Sequence, residues 1–550
     1  MMNGLMMHCN LNITSIMQHA MMVHADQEIV SLKSDGVSTH HYTYKAAFKR
    51  VAQFAHVLDQ LGISFDAKVG TLAWNTHQHM ELHYAIPCTG RIYHTINPKL
   101  QPAQIKQIIL DARDEVLLIE PECIPLLNQF YEEFQSFLKY VIVLGDIQNE
   151  LMAEFPFQFY EALINIQPEY YDWQDIPEQR ASGLCYTSGT TGQPKGVLYS
   201  HRSTVLHALI MSMNDAVGLH RSSVMMPIVP LYHISAWDMP FNGILCGAKL
   251  VWPNQFAGQT EKLVSLMQEE NVDISMAVPT IWTAFKEYLS NHPQIKLNLK
   301  RAISGGSAAP LALIQSMHAL GIQIENGWGM TETSSLGAIN RTQIDQKNFE
   351  TQVIKCGRPV FGMQMQLRHH DGHLLAHDGV QEGILEIRGH TVVHQYIHTS
   401  AQQLSRQQAQ IEQQTYGQWF DTGDIATIDT HAYMHITDRA KDMIKSGGEW
   451  ISSVEVENAA MGHPKILEAA VIAVAHPKWG ERPLLVVVAK ENQTLSHEEM
   501  LMYLSNHLHK WSLPSATISV KEIPHTPTGK ISKKHLREQY HDYFQQMDAV

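Results

Sequence analysis

Cysteine is scarce. Six thiols in 550 residues (Cys9, Cys88, Cys123, Cys185, Cys246 and Cys356) include no C-x-x-C pair. That argues against a disulfide framework and a zinc ribbon, and it fits a reducing cytoplasm. Positive charge is also short: 40 Lys plus Arg stand against 54 Asp plus Glu, a net charge of −14. Such a chain is a poor candidate for gripping a nucleic-acid backbone. No apolar run approaches the ~20 residues of a membrane-spanning helix. Residues 1–25 carry neither Lys nor Arg nor a clean apolar core, so no signal peptide is expected there. The expectation is a soluble protein, with membrane-surface contact left open by what its substrate turns out to be. Histidine is abundant at 33. There is no H-E-x-x-H, and the pairs His40/His41 and His369/His370 lack ligand spacing, so most histidines are expected on the solvated surface.

Hydrophobic residues at 44 % in 550 positions are enough for several cores at ~150 residues per domain. Thr43–Leu61 reads as a helix capped by Thr43, with Phe48, Val51, Ala52, Ala55, Val57 and Leu58 as an apolar stripe at helical spacing. Val69–Trp74, Val116–Ile119 and Tyr140–Leu144 read as buried strands, and a helix is expected around Glu81–Pro87. Strands alternating with helices predict an α/β sheet covered on both faces. The polar, glutamine-rich stretch 391–418 predicts a surface helix and loop. After Asp438 the helices Val454–Met461 and His497–Leu508 and the strands Ala470–Val474 and Leu484–Ala489 predict a small α+β domain.

Five segments carry chemistry. The run Tyr186-Thr187-Ser188-Gly189-Thr190-Thr191-Gly192-Gln193-Pro194-Lys195-Gly196 combines close-approach glycines, hydroxyl donors and a cation, which suits a polyphosphate. It lacks the G-K-[S/T] of a Walker loop, and the bland alternative is a turn between two strands. In Gly327-Trp328-Gly329-Met330-Thr331-Glu332 the aromatic can stack on a base, and Glu332 beside a hydroxyl suits Mg²⁺. The alternative there is a helix cap at Thr331. Asp424, in Asp421-Thr422-Gly423-Asp424, offers a carboxylate to ribose hydroxyls. The run Asp438-Arg439-Ala440-Lys441-Asp442-Met443-Ile444-Lys445 gathers charge at a hinge, and Pro527-Thr528-Gly529-Lys530 holds a lysine on a tight turn.

Taken in order, these segments resemble the adenylate-forming superfamily of acyl-CoA synthetases, luciferases and peptide-synthetase adenylation domains. Pro230-Leu231-Tyr232-His233-Ile234-Ser235-Ala236-Trp237, Lys445-Ser446-Gly447-Gly448-Glu449-Trp450 and His476-Pro477-Lys478-Trp479-Gly480-Glu481-Arg482-Pro483 make the likeness nearest to bacterial medium- and long-chain fatty-acid–CoA ligases. The resemblance implies a large N-terminal domain of layered α/β sheets (1–437) and a small mobile α+β domain (438–550). It implies ATP, Mg²⁺ and CoA, a fatty acid as substrate, and a homodimer.

Residue by residue, it implies that Thr187, Ser188, Gly189, Thr190, Thr191, Gly192 and Lys195 hold the ATP phosphates, and that Thr187 and Glu332 hold the metal. Gly305, Gly306, Ser307, Asn326, Gly327 and Trp328 would line the adenine pocket. Thr331 would meet the α-phosphate, and Asp424 and Arg439 the ribose. Ile234 would touch the nucleotide, and His233 and Trp237 would form the acyl gate, although a core position is the alternative for this Trp. Lys441 and Lys445 would sit at the hinge and its mobile strip, and Lys530 would bridge carboxylate and α-phosphate. Trp328 stands where tyrosine is commoner and keeps a flat aromatic. A peptide-synthetase module would need a carrier domain beyond the 20 residues after Lys530. A luciferase-type oxidase shares the motifs. A non-catalytic regulator would be expected to lack Glu332 or Lys530.

Overall fold

The computed structural model describes residues 2, 4–145, 151–187, 194–342, 349–397, 418–447, 449–526 and 529–547. Two large sheets dominate. The first has seven strands in the spatial order Gln158–Phe159, Tyr140–Val143, Val116–Ile119, Lys68–Leu72, Ile92–Thr95, Ala181–Thr187, Lys195–Ser200. It is parallel except for its last pair, an antiparallel hairpin. Val116–Ile119 is buried along its whole length. A parallel strand covered on both faces has to read as a continuous apolar run, which this one does.

The second sheet has nine strands. Its parallel centre comprises Glu28–Leu32, Lys249–Trp252, Val224–Pro227, Ile274–Ala277, Arg301–Ser304 and Gln323–Met330. A four-stranded antiparallel sheet follows, from Met363–Arg368 to Met434–Arg439. The last sheet begins at Ile444–Ser446 and is built on the long hairpin Ile466–His476 with Gly480–Ala489. It has hydrophobic cores of its own on its two faces, one around Val471 and Leu485 and the other around Ile472 and Val486.

The predicted helix after Thr43 forms as Tyr44–Gln60, with the Thr43 side chain accepting from Ala46 N–H. The helix expected around Glu81–Pro87 is displaced toward the N-terminus, to His77–Ala85. Thr76 caps it through His79 N–H, and Pro87 opens a separate 3₁₀ turn. Proline cannot donate the hydrogen bond a continuing helix needs. The C-terminal hairpin is longer than the apolar runs suggested, because its ends pair through polar residues such as Glu481 and Arg482. Of the glutamine-rich stretch, 398–417 lies outside the described residues.

Candidate active site

Strand Gln323–Met330 leaves the nine-stranded sheet and returns as Ser335–Ile339 through one turn of 3₁₀ helix, Thr331–Thr333. No α-helix follows, so Thr331 does not cap one. The turn closes through two consecutive left-handed residues, Ser334 at φ 60° and Ser335 at φ 93°. Neither is glycine, and such backbone costs ~1–3 kcal/mol per residue unless its surroundings impose it. Here they do. Ser334 donates to the Thr391 carbonyl at 2.9 Å, and Ser335 donates to Asp238. Asp238 also meets His207 at 2.7 Å. Burial opposes charge on His207, yet Asp238 and the Leu336 carbonyl raise its pKa above the ordinary value. A Cβ at Gly329 would collide with the Ser335 carbonyl. Only glycine lets the two arms of this turn approach so closely.

This turn fixes Thr331 and Glu332, both buried. Tyr199 donates to the Thr331 carbonyl at 2.7 Å. Tyr396 donates to Glu332 Oε1 at 2.6 Å, and Val393 N–H to the Glu332 carbonyl at 2.7 Å. The Lys195 ammonium lies 5.0 Å over the Tyr396 ring. Lys195 is the register partner of Thr187 across the antiparallel hairpin. Strand Ala181–Thr187 in turn packs against the Thr331–Thr333 turn. Ser188, Gly189, Thr190, Thr191 and Gly192 lie outside the described residues. Glu332, Thr187 and Tyr396 offer only oxygen, the ligand type Mg²⁺ takes.

Beside them, the pairing of strands Arg301–Ser304 and Gln323–Met330 ends with Ser304 opposite Asn326. Both side chains are buried. Asn326 donates to the Val353 carbonyl at 2.9 Å, but its Oδ1 and the Ser304 hydroxyl have no hydrogen-bond partner among the described residues. Buried polar atoms left open in this way ask for a ligand or water. Gly305, Gly306 at φ +87° and the exposed Ser307 continue from this strand end.

Trp328 and Asp424 meet directly, since the indole N–H donates to Asp424 Oδ2 at 2.9 Å. Arg439 Nε lies 2.6 Å from Oδ1, but without hydrogen-bond alignment, so Oδ1 keeps a free lone pair. Burial pushes the Asp424 pKa up, and the Arg439 guanidinium opposes that shift.

Lys530 comes from the C-terminal unit. Its Cε would lie 2.8 Å from a Cβ placed on Gly306, so the side chain crosses the glycine loop. Burial lowers its pKa to about 8, with Arg439 adding to the fall and Asp424 resisting it. The loop touches the first turn of helix Pro279–Asn291, where Thr280 donates to the Gly529 carbonyl at 3.4 Å.

His233 faces the same lysine. Burial and then the Lys530 charge push its pKa down to about 3. Its Nδ1 accepts from Ser235 N–H, which leaves the proton of the neutral ring on Nε2. Ile234 is buried in the short turn that His233 caps. Trp237 is 5 % exposed. Its indole donates to the Leu231 carbonyl at 3.0 Å, and the ring packs among His83, Tyr93 and Tyr199 and over Gly183. It also lines a small cavity with Thr204, His207, Ile234, Phe241 and Ser334.

Lys441 and Lys445 are not brought into this group. Both are exposed, and the Lys445 ammonium lies 5.4 Å over Trp450. The residues missed by sequence are Tyr396, Tyr199 and the His207–Asp238 pair. Tyr396 falls in the stretch expected to be surface, yet Ile397 N–H donates to the Gly196 carbonyl at 2.8 Å and ties that stretch to the hairpin strand Lys195–Ser200. An aromatic–aliphatic pair ahead of the glutamines was the available signal.

Residues 17–397 match the family described as AMP-binding enzyme, and residues 455–530 match the AMP-binding enzyme C-terminal domain. The chain is 39 % identical to the 3-methylmercaptopropionyl-CoA ligase of Ruegeria lacuscaerulensis, over 98 % of this chain and 99 % of that one. It is 38 % identical to the medium-chain-fatty-acid–CoA ligase of Ectopseudomonas oleovorans, over 98 % of each. Among solved structures, the anthranilate CoA ligase AuaEII in complex with anthranoyl-AMP superposes with a TM-score of 0.85 at 25 % identity, over 99 % of each chain.

Proposed function

The chain belongs to the AMP-binding enzyme family, and from that premise we propose that it is a fatty-acid–CoA ligase acting on medium- or long-chain acids. A carboxylate is a poor electrophile. Attack by its oxygen on the ATP α-phosphate gives an acyl-adenylate and pyrophosphate, and the CoA thiol then displaces AMP. The observation that carries this reading is the convergence of Lys530, Asp424, Arg439 and Trp328 beside Gly306, since it brings a cation from one unit to the wall of another.

The first step must bring two anions together. Lys530 would bridge them and offset the charge that builds at the α-phosphate. An anion beside the ammonium would also return its depressed pKa toward the usual range. The open Oδ1 of Asp424 would accept from a ribose hydroxyl, with Arg439 beside it. The open Asn326 Oδ1 and the Ser304 hydroxyl suit the polar edge of adenine, between Gly305–Ser307 and Gly327–Trp328. Thr331 would meet the α-phosphate, and the loop from Thr187 to Lys195 the outer phosphates. Glu332 and Thr187 would hold Mg²⁺, which when bound supplies charge neutralisation on the phosphates.

In the second step Lys530 would obstruct the thiol, so the small unit (438–550 in this reading) would swing about Lys441 and bring the Lys445 strip inward. His233 and Trp237 would gate the acyl site. The same resemblance supports a cytoplasmic homodimer, which sedimentation would test.

The test of substrate is pyrophosphate release against straight-chain acids of rising length and against 3-methylmercaptopropionate, with and without CoA. Highest kcat/KM on a medium or long chain is expected. A clear preference for the short thioether acid would replace the fatty-acid assignment, and no release with any carboxylate would overturn the ligase reading.

A further inference from the structure

The hairpin between strands Met363–Arg368 and Gly383–Gly389 opens with His369-His370-Asp371-Gly372-His373. Its backbone makes a tight turn. Gly372 N–H donates to the His369 carbonyl and His369 N–H to the His373 carbonyl, each at 2.9 Å, and Arg368 bridges to Leu374. Gly372 sits at φ +100°, in the left-handed range. The turn sets residues 369 and 373 face to face with residue 371 between them.

His369 Nδ1 lies 3.0 Å and His373 Nδ1 2.5 Å from the same oxygen, Asp371 Oδ1. The ligand atoms of all three residues lie within 4.8 Å of one another. His369 Nδ1 is itself shielded from solvent and makes no hydrogen bond of proper geometry among the described residues. Two imidazole nitrogens and a carboxylate oxygen gathered this closely form a donor set of intermediate softness, which suits Zn²⁺, Ni²⁺ or Cu²⁺ over Mg²⁺ or Ca²⁺.

We propose that His369, Asp371 and His373 form a surface site for a divalent transition-metal ion of the Zn²⁺ class, with water completing the coordination. Neighbouring spacing hides it in the sequence. The productive pattern is H-x-D-x-H, which skips His370, whose ring packs on His369 at 3.9 Å between centroids. None of the three residues belongs to the nucleotide or acyl machinery.

The experiment is a Zn²⁺ titration of the metal-stripped full chain by calorimetry, with Co²⁺ absorption as the probe of coordination geometry. Wild type should bind one equivalent that His369→Ala/His373→Ala loses. His370→Ala should keep it, and a large excess of Mg²⁺ should not displace it. Melting temperature and ligase activity should be unchanged in the double variant, because the residues are surface-placed and remote in role. A double variant that takes up the same equivalent with the same affinity, or a Co²⁺ spectrum identical in the two proteins, would overturn the site.

Discussion

The two sides of the candidate site are built in opposite ways. The N-terminal side is locked. Left-handed Ser334 and Ser335 are tied to Thr391 and Asp238, Gly329 admits no side chain, and Glu332 and Asp424 each have a partner from a distant segment. The C-terminal side is only laid against it. Lys530 rests on Gly306 and its loop touches Thr280, while Lys441 and Lys445 of the same unit face solvent. A preorganised wall stabilises charge without having to rearrange during the reaction. A lightly attached cation can arrive for one step and leave for the next. In the proposed reading, the rigid side would hold charge and the lightly attached side would deliver it.

Breaking the wall should do the most damage. Gly329→Ala sets a methyl group against the Ser335 backbone, which cannot yield as a side-chain tip can. Overpacking typically costs ~1–3 kcal/mol, and here relief would move the turn that aims Thr331 and Glu332. Both half-reactions should collapse together, with a lower melting temperature. A thermal melt alongside both assays checks this, and a variant indistinguishable from wild type would show that the wall is not rigid.

Removing the delivered charge should be more selective. Lys530→Ala should cost ~10²–10³ in adenylation, the usual effect of losing one preorganised group. Thioester formation from supplied acyl-adenylate should be largely spared. Equal losses in the two half-reactions would mean that Lys530 serves the structure of the site and not one step.

The wall was partly legible in its residue types, whereas the docking of Lys530 was expected only through the resemblance. Trp328, Glu332 and Asp424 stood out because their residue types announce their chemistry. The helix after Thr43 was legible because a cap and an apolar stripe are local signals. Tyr396 was not, since its role depends on Glu332, 64 positions away, and nothing local marks that pairing. The His207–Asp238 pair was equally hidden: each residue alone looks ordinary, and only burial in contact gives the pair meaning. The arrival of Lys530 at Gly306 is a fact about two units in contact, which no local pattern encodes.

A subtler effect should appear with pH. Lys530 has its pKa lowered to about 8 by burial against the wall. The ammonium that adenylation would need in the proposed reading is present below that value and is lost as pH rises through it. In the free enzyme, kcat/KM for adenylation should therefore fall above about pH 8, well before an ordinary lysine near ~10.4 would titrate. The profile of kcat should break at a higher pH, because bound phosphate favours the charged form. Lys530→Arg should be slower but without the alkaline limb, since guanidinium does not titrate there. A wild-type profile flat to pH 10 would mean that the lysine is not buried in the working enzyme.

The smallest effect in the first half-reaction should come from Lys445→Ala. Resemblance makes Lys445 a site residue, yet here it is exposed on strand Ile444–Ser446 with its ammonium over Trp450. An exposed cation–aromatic contact contributes ~0.5–1 kcal/mol, so adenylation should change by less than about fivefold. If the small unit swings, the same residue enters the site only afterwards, and the deficit should then appear in transfer of the acyl group from supplied acyl-adenylate to CoA. The two lysines would thus give mirror-image patterns, Lys530 failing in the first step and Lys445 in the second. That pattern cannot come from general destabilisation, which would depress both steps in both variants. A Lys445→Ala protein impaired mainly in adenylation would place Lys445 in the wall's chemistry from the start, and the division between a fixed side and a delivered side would then fail.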